Sequence, residues 1–305
     1  MLGDPESEGF PTAGHGEMPP ASGSLDRRRF LTLASAWALF LGAHGGASAA
    51  GAGRPSGRGD SPSAPRIRSL RLRTSTPLGE MREFYAGKIG FPLLRESAEE
   101  VTFRTGASRI TFAAAPSGTE APFYHFAFNI PENKILLARQ WQVRRSALLV
   151  APGHLRDPSM PKDVIHFRHW NAHSIFFWDP AGNIVEYIAR HDLDNGAPGA
   201  FGLEDLLHAS EIGLITDDVP ALAAELRKAF GLEPYRSGSD RFLPLGDELG
   251  LLLVVRKGRK WGWGPQRRAA EIFPTAVGLR GSGVGPLRPA ELPYEIRRGP
   301  LEEPS

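Results

Sequence analysis

The sequence predicts an α+β fold built by repeating one unit, a strand, a helix and then further short strands, and three observations predict it. The same grammar of alternating and apolar runs returns three times after residue 66. The first and third predicted helices stop in a small turn that leads into a strand, in Lys88-Ile89-Gly90-Phe91 and Ala229-Phe230-Gly231-Leu232. A tight turn, Asp179-Pro180-Ala181-Gly182-Asn183, joins two apolar runs: Pro presets one backbone angle, and Gly and Asn tolerate positive φ.

The first unit, residues 66–115, opens with an alternating strand at 67–73. A helix at 78–88 carries Met81, Phe84 and Tyr85 on one face, and short strands follow at 91–96, 101–105 and 109–115. The second, residues 121–192, has a strand at 123–130 and a helix at 132–146 with Ile135, Leu136, Trp141 and Val143. After an irregular stretch containing Pro152, Gly153, Pro158 and Pro161 come strands at 164–169, 173–178 and 184–189. The third, residues 208–256, reads as a strand at 211–215, a helix at 219–230 and a closing strand at 249–255. Residues 257–305 are rich in Gly, Pro and Arg and predict one edge strand at 272–279, then a disordered tail. Three units leave one without a partner and an edge to cover, which makes a homodimer the expected remedy.

Residues 1–49 read as an export signal and not as fold. Arg27-Arg28-Arg29 stands before Phe30-Leu31, an apolar run continues to Ala43, and Ala47-Ser48-Ala49 supplies small residues for cleavage. This resembles a twin-arginine signal, which implies a periplasmic or extracellular protein without a stable membrane anchor. A short buried or amphipathic helix would carry the same apolar run. Residues 50–65, almost entirely Gly, Ala, Ser, Pro and Arg, read as a flexible linker.

Composition narrows the chemistry. At 305 residues and 41% hydrophobic content the chain can bury a real core. Its 36 basic and 34 acidic residues give a net charge of +2 and are scattered, so no nucleic-acid partner is expected. With no cysteine, disulfides, thiolate metal sites and a cysteine nucleophile are excluded, and any metal must be held by His, Asp or Glu.

The string Ile175-Phe176-Phe177-Trp178-Asp179-Pro180-Ala181-Gly182-Asn183-Ile184-Val185-Glu186 resembles the closing hairpin of a module of the vicinal oxygen chelate superfamily, which includes glyoxalases, extradiol dioxygenases and bleomycin-resistance proteins. The phrases Phe84-Tyr85 to Gly90-Phe91 and Leu226 to Phe230-Gly231-Leu232 are similar to the same family's helix-to-strand signature. The resemblance implies βαβββ modules forming cupped half-barrels, with a divalent ion (Fe, Mn, Ni or Zn) inside each working cup. It places a first-strand ligand on His125 and a last-strand ligand on Glu186. A third ligand is commonly a His on the partner module's first strand, where module one offers Ser69; module three offers Glu211 at the corresponding position. The alignment leaves both pairings open. His173, on the strand next to Glu186, is a further candidate, although even spacing back from Phe176 turns it to the outer face.

Each candidate has a plainer reading. A histidine in an aromatic strand is often a hydrogen-bonded core residue, and Glu211 begins a strand and fits a wet edge. Glu186 interrupts the apolar run of Ile184, Val185, Tyr187 and Ile188, where a buried carboxylate needs a cation, a metal or donors. The resemblance implies a metal-dependent lyase, isomerase or ring-cleavage dioxygenase-like enzyme acting on a small oxygenated substrate. The incomplete ligand set equally fits a metal-free small-molecule binding protein of the bleomycin-resistance kind.

Overall fold

The computed structural model of the chain describes residues 66–262, 267–281, 285–299 and 301. The signal and linker expected over residues 1–65 lie outside the described residues. The first unit comprises β1 (Ile67–Thr74), α1 (Leu78–Arg82, continuing as a wider helical turn over Glu83–Ile89), β2 (Leu93–Glu96), β3 (Glu100–Thr105) and β4 (Ser108–Ala114). The second comprises β5 (His125–Ile130), α2 (Ile135–Gln142), β6 (Ile165–Phe167), β7 (Ala172–Trp178) and β8 (Ile184–Arg190). The third has β9 (His208–Thr216), α3 (Val219–Phe230), β10 (Phe242–Asp247) and β11 (Gly250–Arg256). Beyond it lie β12 (Lys260–Trp261), β13 (Arg268–Ala269), β14 (Thr275–Leu279) and β15 (Tyr294–Arg298).

Local chemistry sets these boundaries. Gly90, at φ 96°, ends the first helix and donates its N–H to the Tyr85 carbonyl at 3.0 Å, while Met81, Phe84 and Tyr85 are buried as their spacing predicts. The Asp218 carboxylate caps α3 through the Ala221 N–H at 3.0 Å, and Gly231 closes it at φ 65°. The second helix is shorter than its predicted span, because Pro131 first makes a turn in which the Lys134 N–H bonds the Pro131 carbonyl at 3.0 Å.

Seven strands form one sheet in the order β10-β11-β9-β5-β8-β7-β6. Modules two and three share this sheet through antiparallel pairing of β5 with β9, which sets Phe126 opposite Ile212 and Ala127 opposite Glu211. The pairing that the sequence left open is thereby decided. Six strands form a second large sheet, in the order β15-β14-β1-β4-β3-β2, and β12 and β13 make a two-stranded ribbon. Here β14 runs antiparallel beside β1 and β15 parallel beside β14, the relation that a first and last module strand would have. This corrects the expectation of one edge strand and a disordered tail: β14 is an interior strand, and β15 is the edge. The Thr275–Leu279 run is short, but it satisfies the open hydrogen-bonding side of β1, so the uncovered edge that suggested a homodimer is filled within the chain.

The sheets curl, and an aromatic core lies between their outer faces. Tyr85 stacks on Phe112 at 5.1 Å between ring centroids, Phe112 meets Phe126 at 6.4 Å, and Phe91 meets Phe128 edge-on at 5.7 Å. The Tyr294 hydroxyl donates to the Ile215 carbonyl at 2.6 Å and accepts the Ile215 N–H at 2.7 Å, which ties β15 to β9. At Gly106, φ is 55° and a Cβ would lie 2.1 Å from the Leu207 carbonyl oxygen, so only glycine permits this approach of the two sheets. Among the described residues no helix is long and apolar enough to cross a membrane.

Candidate metal centre

The site grows from the register of three neighbouring strands. Ala127, on central strand β5, is paired with Glu186 on β8 and with Glu211 on β9. Its methyl group leaves the space between the two carboxylates open, and His125, two residues earlier on the same face, points into it. His125, Glu186 and Glu211 are 3%, 2% and 1% exposed. The His125 Nε2 lies 3.4 Å from Glu186 Oε2 and 3.8 Å from Glu211 Oε2, and donor atoms of all three lie within 4.8 Å of one another. The structure thus brings together three of the four residues singled out in the sequence.

His173 is not among them. Phe176 pairs with Glu186, so Phe176 and Ser174 share the face of Glu186 and His173 projects from the other side of β7. Its proposed place beside Glu186 is corrected by strand parity. Ser69 lies in the other sheet, so module one does not contribute to this cup.

Electrostatics makes the cluster unusual for a core. The His125 Nδ1 lies 3.1 Å from the Ile184 carbonyl, to which it must donate, so the lone pair of a neutral ring sits on Nε2 and faces two carboxylates. The separations to those carboxylates exceed good hydrogen-bond lengths. They approach the roughly 3.4 Å between donors that share one tetrahedral ion with bonds of about 2.1 Å. Glu186 Oε1 is buried with no hydrogen-bond partner. Burial, and then the neighbouring charge of Glu211, push the Glu186 carboxyl well above the usual carboxylate range. Arg190, fully buried four residues along β8 on the same face, binds Glu211 Oε1 through Nη2 and Asn129 Oδ1 through Nε at 3.2 Å. When both carboxylates are ionised, the single guanidinium beside them leaves one negative charge, which a divalent cation accommodates. The donor set therefore fits a metal ion of the hard-to-borderline class.

The surroundings are dry. Trp261, 2% exposed, lies with its ring centroid 5.0 Å from that of His125, and it packs so closely on Gly213 that a Cβ there would meet the indole at 3.3 Å. A cavity of about 10 Å³ beside His125 is lined by Tyr124, Gly213, Trp261 and Phe273 among others, room for little more than a water. Sequence reasoning missed Arg190 and Trp261. Arg190 was findable, since it shares parity with Glu186 in an apolar strand; Trp261 lies beyond the recognisable modules and left no pattern.

The other cup is different in kind. The pairing of Arg71 with Thr111 repeats that of Ala127 with Glu186, so Thr111 stands where the carboxylate would be. A cavity of about 830 Å³ opens there, lined by Arg68, Arg71, Arg95 and Arg109 together with Glu100.

The βαβββ units, their edge-to-edge pairing through first strands and the cupped sheets decide the architecture. These are the cupped βαβββ modules that the sequence resemblance implied. No family model and no curated protein matches the sequence. Among solved structures the chain is similar to a "putative dioxygenase" from Bacillus subtilis, at 15% identity over 71% of each chain with a TM-score of 0.48. It is also similar to glyoxalase I from Zea mays, at 18% identity over 72% of this chain and 75% of that one, TM-score 0.42. A glyoxalase/bleomycin resistance protein/dioxygenase from Nocardioides matches at 24% identity over 45% of this chain and 90% of that one, TM-score 0.32.

Proposed function

We propose that the cup of modules two and three binds a divalent metal through His125, Glu186 and Glu211 and that, when displacement of Trp261 opens the site, the ion serves as a Lewis acid on a small oxygenated substrate, in lyase or isomerase chemistry. One observation carries the reading: two fully buried carboxylates, from the strands on either side, converge on the lone pair of His125, at separations that suit a shared ion better than hydrogen bonds. A bound ion would polarise a substrate oxygen and stabilise negative charge developing there. The protein's own part is positional. The Ile184 carbonyl fixes the His125 tautomer, Arg190 holds Glu211 in place, and Trp261 excludes water. One imidazole with two carboxylates differs from the two-His, one-carboxylate set of non-haem iron oxygenases, which disfavours ring-cleaving dioxygenase chemistry at this centre.

The test is the metal content of the untagged chain, purified without chelators, against that of Glu186→Gln. Near-stoichiometric metal in the first that falls in the second supports the reading; equal content in the two, or none in either, overturns it. Export through the twin-arginine route belongs to the same proposal, since that route carries folded, metal-loaded proteins. Replacing Arg27, Arg28 and Arg29 by Lys should then leave the chain in the cytoplasmic fraction of a bacterial host.

A second reading, metal-free binding of a small molecule, is favoured by the arginine-lined cavity of about 830 Å³ in the other cup. It predicts that small dicarboxylates or phosphate esters raise the melting temperature of the chelated protein, and that Arg71→Ala abolishes the effect.

A further inference from the structure

A second cluster of ligating side chains lies outside the cup, on the opposite face of β7. His166 on β6 and His173 on β7 are a cross-strand pair whose rings stack at 4.3 Å between centroids. Asp157, in the loop leading to β6, faces both: its Oδ2 lies 3.6 Å from His166 Nδ1 and 3.7 Å from His173 Nε2. Those separations are too long for hydrogen bonds and close to the roughly 3.4 Å spacing of donors around one ion. Both nitrogens are buried and have no hydrogen-bond partner. We propose that Asp157, His166 and His173 form a second metal centre, for a borderline divalent ion of the Zn(II) and Fe(II) class, with the remaining coordination positions open to solvent.

The surrounding bonds orient this set. Asp157 Oδ1 is taken by the Ser159 N–H at 2.9 Å and the Ser159 hydroxyl at 2.7 Å, so Oδ2 alone turns to the imidazoles. The His173 Nδ1 lies 2.7 Å from His191 Nε2, and the His191 Nδ1 lies 3.1 Å from Glu132 Oε2. A carboxylate accepts a proton and does not donate one, so His191 carries hydrogen on Nδ1 and presents Nε2 as acceptor. His173 must then carry its hydrogen on Nδ1, which leaves the lone pair of Nε2 directed at Asp157. This is the relay by which a carboxylate and a second histidine fix a ligand's tautomer. The side chains of Asp157, His166 and His173 are 22%, 16% and 10% exposed, so an ion reaches the cluster from one side. The β6 strand is the three-residue edge of its sheet, and an ion held there would pin the preceding loop to it.

The test is equilibrium dialysis of Zn(II) into the untagged chain and into Asp157→Asn and His166→Ala, each in the native background and with Glu186→Gln to disable the cup. We expect either substitution to remove one equivalent of Zn(II) in both backgrounds, with an affinity loss of at least 100-fold. Glu132→Gln, on a partly exposed carboxylate, should weaken binding about 10- to 100-fold while leaving the fold intact by circular dichroism. Zn(II) should also slow tryptic cleavage after the exposed Arg156 in the native chain and not in Asp157→Asn. Unchanged Zn(II) stoichiometry and unchanged cleavage in the folded Asp157→Asn protein would overturn the assignment.

Discussion

Glu186→Gln separates a metal centre from a self-sufficient ionic core. Glu186 and Glu211 have carboxylate oxygens within 4.8 Å, so two ionised groups repel by about 3.5 kcal/mol at an effective dielectric constant near 20. The alternative is to protonate one of them. For a carboxyl with a reference value of 4.5 this costs about 3 kcal/mol at pH 7. Gln avoids both costs at nearly the same volume, and its amide can donate to His125 Nε2. The chelated variant should therefore be more stable than the chelated native protein at pH 7 by up to about 3 kcal/mol, or roughly 6–12 °C in melting temperature for a folded body of this size. The sign fixes the pH window. A carboxyl raised by folding contributes its full stability below pH 4.5, and that contribution is lost as pH rises toward the folded value. The gap should accordingly vanish near pH 4 and widen upward. With Zn(II) the gap should all but close: saturation at 1,000 times the dissociation constant adds about 4 kcal/mol to the native chain. A ligand-deficient site bound 100-fold more weakly gains about 2.7 kcal/mol less. Scanning calorimetry with chelator and with Zn(II), at pH 4 and pH 7, reads all four quantities. A chelated variant less stable than the native protein by 2 kcal/mol or more would refute the reasoning, because Glu186 would then be an ionised, satisfied partner of Arg190 and His125.

Four other substitutions probe the surroundings. Arg190→Met removes the guanidinium from a buried Glu211 and should cost about 3–5 kcal/mol in urea unfolding; a cost near zero would mean that this ion pair does not support the fold. Trp261→Ala should lose about 3–5 kcal/mol, and stopped-flow chelation should strip the metal at least 10-fold faster once the indole over His125 is gone. Tyr294→Phe deletes one hydroxyl that serves both the N–H and the carbonyl of Ile215, and about 1–3 kcal/mol of stability should go with it in thermal melts. Burial pushes His208 down to about 4, so its contribution is present above 6.5 and lost as pH falls toward 4, about 3 kcal/mol in all. His208→Gln keeps a donor for the Leu249 carbonyl and should flatten that part of the pH profile of the melting temperature.

The modules were legible because their signals are local. Helix faces such as Met81, Phe84 and Tyr85, the glycine stops and the Asp179 turn depend on neighbours a few residues away. His125, Glu186 and Glu211 were singled out through the family resemblance, which aligns first and last module strands without knowledge of the partner strand, and the structure brings the three side chains together. Strand parity turned His173 outward, and the structure agrees. What the sequence concealed is long-range. The pairing of β5 with β9 rests on contacts some 85 residues apart, as in Phe126 opposite Ile212, and nothing local distinguishes it from a pairing of β5 with β1. The five-residue β14 gains its identity only from the open edge of β1 more than 200 residues earlier. The parity of Arg190 with Glu186 is local, but its partner Glu211 comes from another module.

The two cups share a backbone plan, and single positions decide what each can hold. In the cup of modules two and three the centre of the first strand is Ala127, and its methyl group leaves room for carboxylates from both flanking strands. The corresponding residue of module one is Arg71, flanked by Thr111 and Ala276. A guanidinium at that point carries the same sign of charge as a metal ion. Arg71 turns instead to Glu100, with its Nη2 at 2.8 Å from the carboxylate. A cation is thus repelled from the arginine-lined cup, whereas at Ala127 the same strand geometry concentrates negative charge. Restoring a carboxylate at Thr111 alone should therefore create another partner for Arg71 and no metal affinity, and dialysis of Thr111→Glu against Zn(II) would show that difference directly.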